Sequence, residues 1–144
     1  MVQGTVTIDG VPTVSLEVGG SNWPATVDTG FNGDLELPEG LRSFVNARFI
    51  APTEWVLAGG QRRIEDTYEV EFPFDGSVLP AEATFVPGDS ILIGTGMMAQ
   101  YRLTIDFVAS TVLLERRAGQ PCPRQCIQIR IALSLTHCTR FGPS

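Results

Sequence analysis

A chain of 144 residues, 43% of them hydrophobic, is long enough for one domain with a packed core and too apolar for a disordered segment. Its formal net charge of −6, with no basic stretch interleaved with aromatics, argues against nucleic acid as a partner. No apolar run approaches the roughly 18 residues of a membrane span, and residues 1–5 show neither the basic nor the apolar region of a signal peptide. No membrane association and a cytoplasmic location are therefore expected.

The body reads as short strands divided by turn residues. Val6 and Ile8 alternate with Thr5, Thr7 and Asp9, and Asp9-Gly10 offers a tight turn. A second strand is expected over 13–18, with Val14, Leu16 and Val18 on one face, broken by Gly19-Gly20. A third runs over 23–27 into Asp28-Thr29-Gly30, and a fourth covers 34–37. Pro38 suits the first position of a short helix whose apolar face would be Leu41, Phe44 and Val45. A long hairpin follows, with arms over 54–57 and 63–74 and Gly59-Gly60 near its tip. In its second arm Tyr68, Val70, Phe72 and Phe74 share one face, and Thr67, Glu69 and Glu71 share a wet one. Asp75-Gly76 turns the chain into a strand over 79–86. A short apolar strand over 90–93 ends at Gly94, a brief helix is expected over 96–100, and Leu103, Ile105, Phe107, Val112 and Leu114 mark the last strands. Many short strands with frequent turns indicate an all-β fold, a closed or nearly closed barrel with one or two short helices.

Composition changes abruptly near Arg117. All sixteen acids lie at or before Glu115, whereas 117–144 holds four arginines, no acid and all three cysteines. The domain is therefore expected over 1–116, with 117–144 as an appendage. There Ile127, Ile129, Ile131, Leu133 and Leu135 fit an extra strand, and the composition break fits a non-native extension equally well. Cys122, Cys126, His137 and Cys138 match no familiar zinc spacing, so no metal is expected.

Asp28-Thr29-Gly30 suits a carboxylate presented on a tight loop, although an Asp-Gly pair is also ordinary turn chemistry. Two further blocks add to it. Ile91-Leu92-Ile93-Gly94-Thr95-Gly96-Met97-Met98 lies some 60 residues on, and Tyr101-Arg102-Leu103-Thr104-Ile105-Asp106-Phe107 follows it. With Val27-Asp28-Thr29-Gly30-Phe31-Asn32-Gly33, these blocks make residues 4–116 resemble the retropepsin-like aspartic proteases, particularly the short bacterial and archaeal members.

The resemblance implies a retropepsin-like β-barrel, a hairpin flap over the substrate, and a homodimer acting on peptide or protein substrates without a cofactor. It implies Asp28 as the catalytic residue, Thr29 and Gly30 as support for its loop, and Ile93-Gly94 as the strand end packed beside that loop. Gly59 and Gly60 fall at the flap tip by position. Phe31, Asn32 and Trp55 are expected to line the substrate cleft, Phe31 being also compatible with the dimer contact and Trp55 equally compatible with the core. The chain departs from the viral pattern at Phe31-Asn32 and at Thr95-Gly96.

With one such triplet per chain, each copy supplies half of a two-carboxylate site, so a two-fold dimer is required. The rival reading is a catalytically silent peptide-binding or dimerisation module on the same fold. Asp106, Asp9 and Asp75 read as structural or turn residues, and Met97-Met98 as packing.

Overall fold

The computed structural model describes residues 1–117. The four cysteine and histidine positions of the appendage and the strand expected over 127–135 lie outside the described residues. Ten strands form one hydrogen-bonded ladder in the order β5-β6-β7-β4-β8-β3-β2-β1-β10-β9. They are β1 Val2–Val6, β2 Pro12–Val18, β3 Ser21–Val27, β4 Leu35–Pro38, β5 Arg48–Val56, β6 Arg62–Phe74, β7 Ser77–Val86, β8 Ile91–Ile93, β9 Tyr101–Asp106 and β10 Thr111–Arg116. The fold is all-β, as expected.

The ladder curls on itself: β2 packs against β6, which is not its neighbour in strand order. Inside the curl, alternate residues of successive strands meet in one core. Val14, Leu16 and Val18 of β2 join Leu35 and Leu37 of β4, Val70, Phe72 and Phe74 of β6, and Val112 and Leu114 of β10. Burial of this apolar surface, at about 25 cal/mol per Å2, is the main force holding the layers together. Asp75 and Gly76 both take positive φ, 50° and 77°, in the two-residue turn between β6 and β7, a twist that suits a tight hairpin. Asp75 also accepts a hydrogen bond from the Tyr101 hydroxyl at 3.1 Å, so it ties the turn to β9.

Four local expectations need correction. The first strand ends at Val6, because 7–10 closes a turn in which the Gly10 N–H bonds the Thr7 carbonyl; Ile8 is left fully exposed. The helix after Pro38 is a six-residue 3-10 helix, Glu39–Phe44, which buries Leu41 while Phe44 lies outside against Gly19; Val45, just past its end, is buried. Residues 96–100 form consecutive turns, with Met97, Met98 and Tyr101 N–H groups each bonding a carbonyl three residues back. Finally, Thr67 is buried, because its hydroxyl bonds that of Thr53 at 2.7 Å inside the β5–β6 hairpin.

Candidate active site

Three strand ends create the site. β8 lies parallel to β3, with Val27 opposite Ile93, and antiparallel to β4, with Leu35 opposite Ile93. A segment from late in the chain is thereby inserted between two strands that are consecutive in sequence. The loop joining β3 to β4, residues 28–34, must pass over the end of β8. That loop contains Asp28.

Its backbone is tied down at several points. The Asp28 N–H bonds the Ile93 carbonyl at 3.0 Å, and the Phe31 N–H bonds the Asp28 carbonyl at 3.3 Å. Beyond β8, the Gly94 N–H bonds the Asp34 carbonyl at 2.8 Å, the Thr95 N–H bonds the Phe31 carbonyl at 2.8 Å, and the Gly96 N–H bonds the Gly33 carbonyl at 3.1 Å. The Asp28 carboxylate, partly buried, accepts the Gly30 N–H at 2.8 Å through Oδ1. A carboxylate with one oxygen engaged by a backbone donor is fixed in direction.

The floor is pinched too tightly for side chains. A Cβ on Gly94 would overlap the Gly33 carbonyl oxygen and sit 2.6 Å from the Phe31 ring. At Gly33 it would lie 2.6 Å from Phe31 and 2.9 Å from Trp55. The two rings stand over this floor with centroids 5.5 Å apart and planes tilted by 52°. Trp55 comes from β5, so the hairpin lies over the loop. Its indole N–H is buried and without a hydrogen-bond partner among the described residues. The tip itself, residues 57–61, is exposed, with Gly59 and Gly60 in open space and Gly60 at a φ of +77°.

The structure thus brings Asp28, Gly30, Phe31, Ile93, Gly94 and Trp55 together. Thr29 and Asn32 are exposed on the same loop, and Gly59 and Gly60 stand apart at the hairpin turn. Sequence reading missed Asp34. Its Oδ2 accepts the Glu82 N–H from β7 at 2.9 Å, and its Oδ1 occupies the space that a Cβ on Gly96 would need. The departure at Gly96 is therefore matched by a carboxylate at Asp34, a pairing across 62 residues that no local pattern announces.

The inner face of the hairpin was also unforeseen. Arg63, directly opposite Trp55, bonds Glu65 at 2.7 Å, and Glu36 of β4 lies near both. Burial first, and Glu65 second, push the Glu36 carboxyl above its usual range, against the pull of Arg63. Asp106 is structural as expected: its Oδ1 accepts the N–H groups of Val108 and Ala109, both at 2.9 Å.

No family model matches the sequence, and no curated protein matches it. Solved structures do. The chain is similar to a retropepsin-like aspartic protease from Rickettsia conorii, with 16% identity and a TM-score of 0.55 over 78% of this chain and 87% of that one. It is similar to EIAV protease complexed with the inhibitor HBY-793, with 14% identity and a TM-score of 0.51 over 67% and 92%. A third likeness is to the foamy viral protease-reverse transcriptase in complex with an RNA/DNA hybrid, with 20% identity and a TM-score of 0.52. It covers 64% of this chain and only 12% of that much longer protein. At these identities the likeness is one of fold, and the fold is retropepsin-like.

Proposed function

We propose that the chain is an aspartic endopeptidase in which Asp28 from each of two copies forms one shared active site. The observation that carries this reading is the presentation of Asp28: its carboxylate is aligned by the Gly30 N–H on a pinned loop, beneath a hairpin whose Trp55 reaches over that loop. One carboxylate, ionised, takes a proton from a water whose oxygen attacks the scissile carbonyl carbon. The other, protonated, gives its proton to the carbonyl oxygen. Collapse of the tetrahedral species returns that proton, breaks the C–N bond and leaves the amine carrying the proton taken from water. Like charges this close cannot both ionise, so the two titrations belong to the pair.

In this reading Thr29 and Gly30 hold the loop, Ile93 and Gly94 pack beneath it, and Phe31, Asn32, Trp55, Gly59 and Gly60 face an extended peptide. Residues 1–116 carry the whole site, and neither a metal nor an organic cofactor enters the chemistry. A second reading, a silent peptide-binding or dimerisation module, draws on the Phe31–Trp55 pair, which crowds the space beside Asp28. Degradation of a peptide library by wild type and Asp28→Asn separates them. The endopeptidase reading expects activity that falls by ~10²–10⁴-fold in the variant; peptide binding without turnover in either protein favours the silent module.

A further inference from the structure

The loop that carries Asp28 is tied to the end of β8 at both of its own ends. The Asp28 N–H bonds the Ile93 carbonyl at one end, and the Gly94 N–H bonds the Asp34 carbonyl at the other. Val27 and Leu35 both pair with Ile93, so with strands ~4.8 Å apart the two ends stand roughly 10 Å apart across β8. At the Asp28 end the carboxylate turns back to the Gly30 N–H of its own loop. At the Asp34 end the carboxylate reaches away from the loop. Its Oδ2 accepts the Glu82 N–H of β7 at 2.9 Å, one step before Leu35 and Ala83 begin the parallel pairing of β4 with β7. Its Oδ1 stands over Gly96, so close that a Cβ there would overlap it. One half-buried side chain thus abuts the loop end, β7 and the turn after β8.

We propose that Asp34 is a positioning residue: its carboxylate anchors the far end of the loop and thereby sets the direction of the Asp28 carboxylate. The proposal rests on the endopeptidase reading of Asp28. The main-chain ties of the loop to residues 93–96 fasten it to the end of β8 and the turn beyond. The Asp34 carboxylate adds the tie that joins this assembly to β7. A shift at Asp34 has a short route to Asp28. Gly96, beneath Oδ1, gives its N–H to the Gly33 carbonyl; the Phe31 ring lies against Gly33 and Gly94; and the Phe31 N–H bonds the Asp28 carbonyl at 3.3 Å. The floor between them has no room for even a Cβ at Gly33 or Gly94, so it transmits a displacement rather than absorbing it. Misplacing a reacting group by about 1 Å can cost ~100-fold in rate.

The test compares full-length wild type, Asp34→Ala, Asp34→Asn and Gly96→Ala in peptide hydrolysis and amide hydrogen exchange, with Asp28→Asn as the inactive reference. Asp34→Ala should lower kcat ~10–100-fold and leave KM within about threefold of wild type. Asp34→Asn keeps the size and an acceptor for the Glu82 N–H, and should recover roughly tenfold over Asp34→Ala. Gly96→Ala drives a methyl against Oδ1 from the opposite side. It should show the same loss, and the two losses should not add in the double variant. In Asp34→Ala the Asp28 and Phe31 amides should exchange ~10-fold faster while those of Val14 and Val112 keep their wild-type rates. A merely structural role would speed the core amides as well and would lose the difference between Asp34→Ala and Asp34→Asn. Asp34→Ala with wild-type kcat, while Asp28→Asn is inactive, overturns the positioning role and leaves the shared site standing. Wild type that cleaves no peptide sinks the endopeptidase reading instead, and exchange then decides the anchor: unchanged Asp28 and Phe31 amides in Asp34→Ala overturn it, and faster ones support it.

Discussion

The loop floor and the hairpin tip are both rich in glycine, for opposite reasons. At the floor, Gly94 and Gly96 are required because a Cβ would overlap a backbone or carboxylate oxygen. At the tip nothing lies near either glycine, and only Gly60, at a φ of +77°, needs its conformational freedom. One region is glycine-rich because it is crowded, the other because it bends in the open. The crowded region carries Asp28, and the open one stands apart at the hairpin turn. The proposed endopeptidase would need both, since its catalytic group must be held and its cover must move.

Substitution should separate the two regions sharply. Gly94→Ala forces the β8 end away from Gly33, an overpacking expected to cost ~3 kcal/mol and to lower the melting temperature by on the order of 10 °C. Thermal unfolding checks it, and a shift under about 2 °C would mean the floor is not crowded. Trp55→Ala removes the one aromatic link between the regions. It should cost ~1–2 kcal/mol and raise KM about tenfold with a smaller change in kcat, read from steady-state kinetics. At the tip, Gly60→Ala should cost ~1 kcal/mol for its positive φ, whereas Gly59→Ala should fall within about 0.5 kcal/mol of wild type. Equal effects of Gly59→Ala and Gly94→Ala would erase the contrast.

The smallest expected effect lies between the regions, at Glu36. Its carboxyl is held above the ordinary value of 4.5, so the folded chain binds this proton more tightly than the unfolded chain. Its contribution to stability is full below the unfolded value and is lost as pH rises through the raised folded value. Glu36→Gln should therefore melt above wild type at pH 7 and converge with it near pH 4. Parallel melts at the two pH values provide the check, and a wild type more stable than the variant at pH 7 would reverse the sign.

The sequence made the strands legible where alternation was clean, as in Val14, Leu16 and Val18 or Phe72 and Phe74, because a half-buried strand writes its burial into every second residue. It was less informative where tertiary partners decide. Phe44 looked like helix core, but the 3-10 geometry turned it outward; Thr67 looked wet, but a second hydroxyl met it inside the hairpin. Asp28 with Ile93-Gly94 was readable because both blocks are local and compact. The Asp34–Gly96 fit and the Glu36, Arg63 and Glu65 cluster were not, since each joins distant strands through space. Trp55 was undecided between core and cleft, and its ring lies against Phe31 beside the loop.

The most direct test of the shared site is specific activity measured along a dilution series whose sedimentation is followed in the same samples. Activity per chain should rise with concentration in step with the dimer fraction and then level off, because dimer formation is linked to catalysis by mass action. Excess Asp28→Asn added to wild type should suppress it by forming heterodimers with one working carboxylate. A species that sediments as a monomer and retains full specific activity would contradict a site built from two copies of Asp28.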